Sequence, residues 1–325
     1  MTISENDTRA YHLGDRASLG WEQTISESLR DTASPYMEAL KERRAYGEVI
    51  GDLLEGRGMI RDGFRILEVG GGYGNLAHYL LGRFGRITAT MVDISPVFCG
   101  RQRLTLAAFG DRATVIEADI FDYLGRHGPF DLIISNENMA DFPSLVDIPK
   151  RRLIEYMEGK GPIDPNGSDD SDLRYLEQAR DFIRSLDIDP QDAPDTVHLN
   201  TGAARFIELA MGTTDRLFVV EHSSDWSLPR SMADFLRDPR TDRWPKKIIL
   251  FSHHEVTICF EHLKRLVDKG GLLREGGGLM DLFQIRDDTE IRYILLSGSI
   301  QTEKHEIIGE FIDHIKEYQW LLIHR

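Results

Sequence analysis

Glu68 followed by Gly70, Gly71, Gly72 and Gly74 is the densest chemical signal in the chain. Glycine tolerates positive φ and lets a ligand touch the backbone. A helix begun at such a turn offers unpaired N–H groups and the positive end of its dipole. Asp93 lies 23 residues beyond Gly70, a separation at which a carboxylate can hold two ribose hydroxyls. Asp119 with Ile120, and Ser135, Asn136 and Glu137, follow at similar intervals. Together these residues suit a nucleotide-like ligand. The dinucleotide fingerprint G-x-G-x-x-G is not met, because the series from Gly70 runs Gly70, Gly72, Asn75.

Strand-to-helix turns must carry these residues. Ile66, Leu67 and Val69 form an apolar strand run, and Leu76, Tyr79 and Leu80 have helical spacing. Residues 87–95 read as a second strand stopping at Asp93, 113–124 as a third ending near Asp119 and Ile120, and 129–142 as a fourth closing at Ser135–Glu137. In an open parallel sheet, ligands sit beyond the carboxyl ends of strands. A fifth strand is expected at 216–225 and a helix within 246–271. A strand at 292–299, a helix carrying Ile307, Ile308, Phe311, Ile312 and Ile315, and a last strand at 320–323 inserted antiparallel then follow. The fold class is α/β: a Rossmann-like doubly wound sheet of about seven mostly parallel strands, with N-terminal helices and a helical cap insertion. Residues 1–60 form an arm and helices over the pocket, 61–142 and 215–325 the core, and 143–214 the cap. The cap's amphipathic stretch carries Leu173, Leu176, Phe182, Ile183 and Leu186, and Tyr11, His12 and Trp21 of the arm could fold over a ligand.

An acidic residue before alternating glycines, with acidic residues at successive strand ends, resembles the class I S-adenosylmethionine (SAM) methyltransferases. The resemblance implies SAM as cofactor and S-adenosylhomocysteine (SAH) as product. It places Gly70–Gly74 under the methionine part, with Glu68 organising the turn or meeting the amino group. It puts Asp93 on the ribose with Ile94 beside it, Asp119 on the adenine amino group, and Ile120 on the ring. Asn136 and Glu137 would face the acceptor, Asn136 orienting it and Glu137 taking its proton. Glu137 could equally be a carboxylate bonded to loop N–H groups, and Asp141, His222, Asp225, His253, His254 and Glu255 are further bases at that edge. The chain is also similar to the MidA-like methyltransferases, whose mitochondrial members help assemble respiratory complex I. That likeness rests on AYGEVIGDLL (45–54), the Ser135–Asn136–Glu137 run, and HHEVTICFEHL (253–263). The chain departs from that family at Gly71, where proline is usual, and at Asn138–Met139–Ala140, which separate the run from Asp141.

Composition narrows the partners. Acidic side chains number 54 against 39 basic, a net charge of −15, without the basic footprint nucleic acid requires. The acceptor is therefore expected to be a small molecule or a protein side chain, methylated on nitrogen or oxygen. No apolar run reaches membrane-spanning length and no signal pattern is present, so a cytoplasmic, membrane-free protein is expected. Cys99 and Cys259 are too few for a disulfide framework or thiolate metal cage. The run 164–172 fails the calcium-loop pattern, with Asp169 and Tyr175 where glycine and glutamate are needed. His253, His254 and Glu255 could bind metal with His222 only if loops converged, and no metal is assigned. The apolar C-terminal end could pack internally or form a homodimer. Two other readings use the same sheet: a SAM-binding assembly protein without turnover, and a nucleotide-dependent oxidoreductase.

Overall fold

The computed structural model describes residues 2–6, 8–14, 24–160, 170–225, 244–249, 253–297 and 302–325. Trp21 and the acidic run at 164–169 lie outside them. Twelve strands are present among the described residues: β1 (Ser4–Asn6), β2 (Arg65–Val69), β3 (Thr88–Asp93), β4 (Ala113–Glu117), β5 (Leu132–Asn136), β6 (Ser144–Pro149), β7 (Thr196–Leu199), β8 (Arg216–His222), β9 (Lys247–Ile249), β10 (His254–Val256), β11 (Leu273–Gly278) and β12 (Tyr318–His324). The α-helices are α1 (Arg9–His12), α2 (Ile25–Ser28), α3 (Tyr46–Gly56), α4 (Asn75–Arg83), α5 (Pro96–Leu106), α6 (Ile120–Leu124), α7 (Lys150–Met157), α8 (Asp170–Ser185), α9 (Thr201–Thr213), α10 (Phe260–Lys269), α11 (Leu279–Leu282), α12 (Thr289–Ser297) and α13 (Glu303–Ile315).

Seven strands make the central sheet in the order β11-β12-β8-β5-β2-β3-β4. β2 pairs in parallel with both β3 and β5, and β5 with β8, whereas β12 runs antiparallel between β8 and β11. Because helices cover both faces, the inner strands are apolar on both sides. Ile66 and Leu67, neighbours on β2, are buried in separate cores on opposite faces. One core holds Ile50, Leu80 and Phe311 from α3, α4 and α13; the other holds Phe206 and Leu263 from α9 and α10. Gly47 lets α3 approach α4, since a Cβ there would stand 2.6 Å from Tyr79 Cβ. A separate three-stranded sheet, β1-β6-β7, packs with α7 and α8 around Leu145, Leu153, Ile183 and Val197. The N-terminal arm thus supplies an edge strand to the layer beside the main sheet.

The structure revises two sequence-level elements. The third strand ends at Glu117, and Ile120–Leu124 is α6, started by Asp119, whose side chain accepts from the Phe121 N–H. The 292–299 segment falls in a helix, α12, as far as Ser297; its last two residues lie outside the described ones. Ile291, Ile294 and Leu295 pack one helical face onto the core. The place at the sheet edge is taken by β11, whose sequence LREGGG carries no alternation of apolar side chains. Glycine is needed there: a Cβ on Gly276 would come within 2.7 Å of the Trp320 carbonyl oxygen. The C-terminal segment packs internally, with Ile308, Phe311, Ile312 and Ile315 buried against the sheet. No helix among the described residues is long and apolar enough to cross a membrane.

Candidate functional site

A cavity of about 1130 Å³, open side included, lies over the carboxyl ends of β2, β3, β4 and β5. The chain leaves β2 by a turn in which Gly70, Gly72 and Gly74 have φ of 55°, 52° and 83°, values that strain other residues. A Cβ on Gly71 would lie 2.4 Å from Met91 Cε and 3.0 Å from Glu68 Oε1. Any side chain at 71 would therefore displace the end of Met91 and press on the Glu68 carboxyl. Glu68 is 1% exposed, and its Oε2 finds no hydrogen-bond partner among the described residues. Burial pushes its carboxyl up to about 8, opposed by the Ala77 N–H and reinforced by nearby Asp93.

Asp93 ends β3. Its Oδ1 accepts from the Ser95 N–H at 2.8 Å, and its Oδ2 from Gln102 Nε2 at 2.9 Å. Gln102 also donates to the Gly72 carbonyl at 3.1 Å, tying α5 to the glycine turn. Burial raises the Asp93 carboxyl above the usual range. Asp119 Oδ1 accepts from the Phe121 N–H at 2.9 Å, and Arg9 reaches Asp119 Oδ2 at 2.5 Å from α1. The N-terminal arm therefore contacts the carboxyl edge of the sheet at Asp119.

At the end of β5, Asn136 Oδ1 accepts from the Tyr46 hydroxyl at 2.5 Å. Glu137 adopts a positive φ of 55° and is half-buried at the cavity wall. Its oxygens accept from the backbone N–H groups of Ile25 at 2.7 Å and Ser26 at 2.8 Å. Burial pushes its carboxyl up to about 7, moderated by those donors. Glu221 of β8 accepts from the Met139 and Ala140 N–H groups at 2.5 and 3.2 Å, fixing the turn that follows. Because Glu137 satisfies two donors of α2, Glu137→Ala is expected to lower unfolding stability by roughly 1–3 kcal/mol, the cost of orphaned buried donors. Urea denaturation measures this, and an unchanged midpoint would contradict the anchoring role.

The cavity wall brings together Glu68, Gly70, Gly71, Gly72, Asp93, Ile94, Asp119, Ile120, Asn136 and Glu137. Gly74 is not on the wall; it turns the chain into α4 beneath α5. Of the further bases, Asp141 lines the cavity, whereas His222, Asp225, His253, His254 and Glu255 do not. His222 instead pairs with Glu317 at 2.7 Å and stacks on Tyr318. Thr8, Arg9, Glu27 and Phe98 also line the wall, and nothing in their local sequence marks them. Tyr46 and Gly47 could have been found: the Tyr–Gly pair in AYGEVIGDLL is where the helix reaches Asn136 and lets Tyr79 pass.

Residues 66–150 match the sequence profile of a family described as a methyltransferase domain. The chain carries a methyltransferase domain. The matched segment runs from β2 to the first residue of α7 and contains the glycine turn, Asp93, Asp119, Asn136 and Glu137. No curated protein matches the sequence of the chain. Among solved structures, the chain is similar to an S-adenosylmethionine-dependent methyltransferase from Clostridium acetobutylicum ATCC 824, at 10% identity and a TM-score of 0.43 over 86% of this chain and 90% of that one. It is also similar to the plantazolicin methyltransferase BamL in complex with a triazolic desmethylPZN analogue and SAH, at 12% identity and a TM-score of 0.43 over 98% and 96%. A third is magnesium protoporphyrin IX methyltransferase from Synechocystis PCC 6803 with bound SAM, at 11% identity and a TM-score of 0.41 over 98% and 89%. Likeness at these scores carries no argument about the acceptor. Outside the matched segment, the chain supplies Thr8, Arg9, His12, Thr24, Ser26 and Glu27 to the cavity wall and strands β8, β12 and β11 to the sheet.

Proposed function

We propose that this chain binds SAM and transfers its methyl group to a nitrogen or oxygen acceptor on a small molecule or protein side chain. The observation that carries the reading is the concentration of carboxyl groups on the cavity wall, which a cationic ligand would favour in their ionised form. Glu27, Glu68, Asp93, Asp119, Glu137 and Asp141 surround the glycine turn, against Arg9 and His12. Such a wall favours a ligand with an ammonium and a sulfonium, and the unpartnered Glu68 Oε2 is a ready acceptor for the first. In this reading Asp93 receives the ribose hydroxyls, while Asp119 and Ile120 flank the adenine.

Bound SAM supplies a methyl group already activated on sulfur. The protein's part is then to align an acceptor lone pair and exclude water. Asn136, held by Tyr46, is placed to orient the acceptor. Where the acceptor carries a proton, Glu137 is the group with a suitable affinity for it, near neutrality. Its bonds to Ile25 and Ser26 couple that role to the seating of α2 over the cavity. The oxidoreductase alternative fits less well, because a dinucleotide would bring its anionic pyrophosphate against Glu68 and Asp93.

Calorimetric titration with SAM and SAH, with NAD as control, tests the reading. Micromolar binding of both sulfur ligands is expected. Binding of NAD alone, or of no ligand after copurified molecules are removed, would overturn it.

A further inference from the structure

At one side of the cavity wall, three residues from distant segments meet. Asp141 comes from the turn after β5, and His253 and Glu255 from the arm of the β9–β10 hairpin. One ligand atom from each lies within 4.8 Å of the others. His253 and Glu255 are two apart on an extended segment and so face the same way, whereas His254 between them is exposed. This resolves the run of neighbouring ligands in the sequence: alternate residues converge, and Asp141 rather than His222 completes the set.

The geometry points to a divalent-cation site formed by Asp141, His253 and Glu255. Each side chain is at least three-quarters buried, at 20%, 10% and 22% exposure. His253 Nε2 faces Glu255 Oε1 at 3.1 Å, while His253 Nδ1 and Asp141 Oδ1 are buried without a hydrogen-bond partner among the described residues. Two buried carboxylates and an imidazole with spare ligand atoms form an anionic donor set that is compensated well by a metal ion. Tyr11 stacks on the His253 ring at 4.1 Å, fixing its plane, and His12 Nε2 stands 3.1 Å from Asp141 Oδ2. A tetrahedral zinc with bonds of about 2.0–2.2 Å holds its ligand atoms roughly 3.3–3.6 Å apart, so a pair near the 4.8 Å limit would close by about 1 Å on binding. Mixed imidazole and carboxylate donors suit zinc or manganese, and the single imidazole makes calcium a poorer match. Asp141 and His12 also line the cavity, so the ion would sit at its wall. The site does not rest on SAM binding.

The test uses the untagged full chain, dialysed against chelator and titrated calorimetrically with zinc and, separately, manganese, without SAM. One saturable site of micromolar or tighter affinity is expected for at least one ion. His253→Ala and Glu255→Gln should each weaken it by at least about tenfold. Asp141→Asn, nearly isosteric, should do the same with circular dichroism unchanged, which guards against loss of fold in the other two. Absence of saturable binding, or binding undiminished in folded variants, would show the cluster to be a polar latch between the arm and the hairpin.

Discussion

Asp93→Ala is expected to weaken SAM and SAH binding alike by roughly a hundredfold or more. Two ribose hydroxyls donating to one buried carboxylate would contribute about 1.5–3 kcal/mol each, and 1.4 kcal/mol is a factor of ten. The two ligands share the ribose, so the losses should match, and the SAM-to-SAH ratio should hardly move. Asp93 is 5% exposed, and its carboxyl is raised by burial. Removing it therefore relieves a buried charge even as Gln102 and Ser95 lose an acceptor, so the fold should survive. Asp93→Asn keeps the shape and serves as the milder variant. Calorimetry with both ligands decides it; affinity within a factor of a few of wild type would remove Asp93 from the ribose.

Glu68→Gln should separate stability from binding through pH. For a carboxyl whose folded value is raised, the protonated form favours the fold. That contribution is complete below the unfolded value of 4.5 and is lost as pH rises through the folded value, about 8 for Glu68 and about 7 for Glu137. Glu221, raised in the same direction, adds to the trend. The ligand-free protein should thus lose stability between pH 5.5 and 8.5, with Glu68 alone contributing on the order of 4 kcal/mol at the upper end. Glu68→Gln abolishes that part of the loss, so the variant should melt higher than wild type at pH 8.5. A cationic ligand does the opposite to the wild-type group: it favours the carboxylate, releases a proton, and binds more tightly as pH rises. SAM affinity should accordingly climb from pH 6 to 8, SAH affinity less, and Glu68→Gln should flatten both. Scanning calorimetry and titration in buffers of different ionisation enthalpy measure the two halves. A wild-type protein equally stable at both pH values would contradict the buried state of Glu68.

The central half-sheet was legible because its signals are local. Ile66–Val69 with the glycines, and Asp93 at a strand end, each announce themselves within a dozen residues. The apolar 320–323 run marked the last strand, whereas its antiparallel direction was expected only from the methyltransferase resemblance. β11 was not, since Leu273–Gly278 owes its strand to a partner rather than to its own side chains: glycines fit where Trp320 comes close. Residues 292–297 misled because Tyr293, Ile294, Leu295 and Leu296 are continuous apolar sequence, which periodicity cannot assign. At the site, sequence order placed Glu137 at the edge but could not show that its oxygens meet Ile25 and Ser26, over a hundred residues earlier. Arg9 on Asp119 and Gln102 on Asp93 are invisible for the same reason, as contacts of tertiary structure with no local pattern. The convergence of Asp141 with His253 and Glu255 required the hairpin to be folded against the β5 turn.

β12 lies between β8 and β11, and this sets a schedule for synthesis. β8 ends at His222 and its partner begins at Tyr318, so at about 5–20 residues per second the ribosome needs roughly 5–20 s to supply it. Throughout that interval the stretch Leu217–Val220 presents an unpaired apolar edge to the cell. Such edges recruit other nascent chains. Slower, cooler expression lengthens the wait but weakens hydrophobic association, and a chaperone that shields one strand edge would serve this chain more than one that encloses a whole domain.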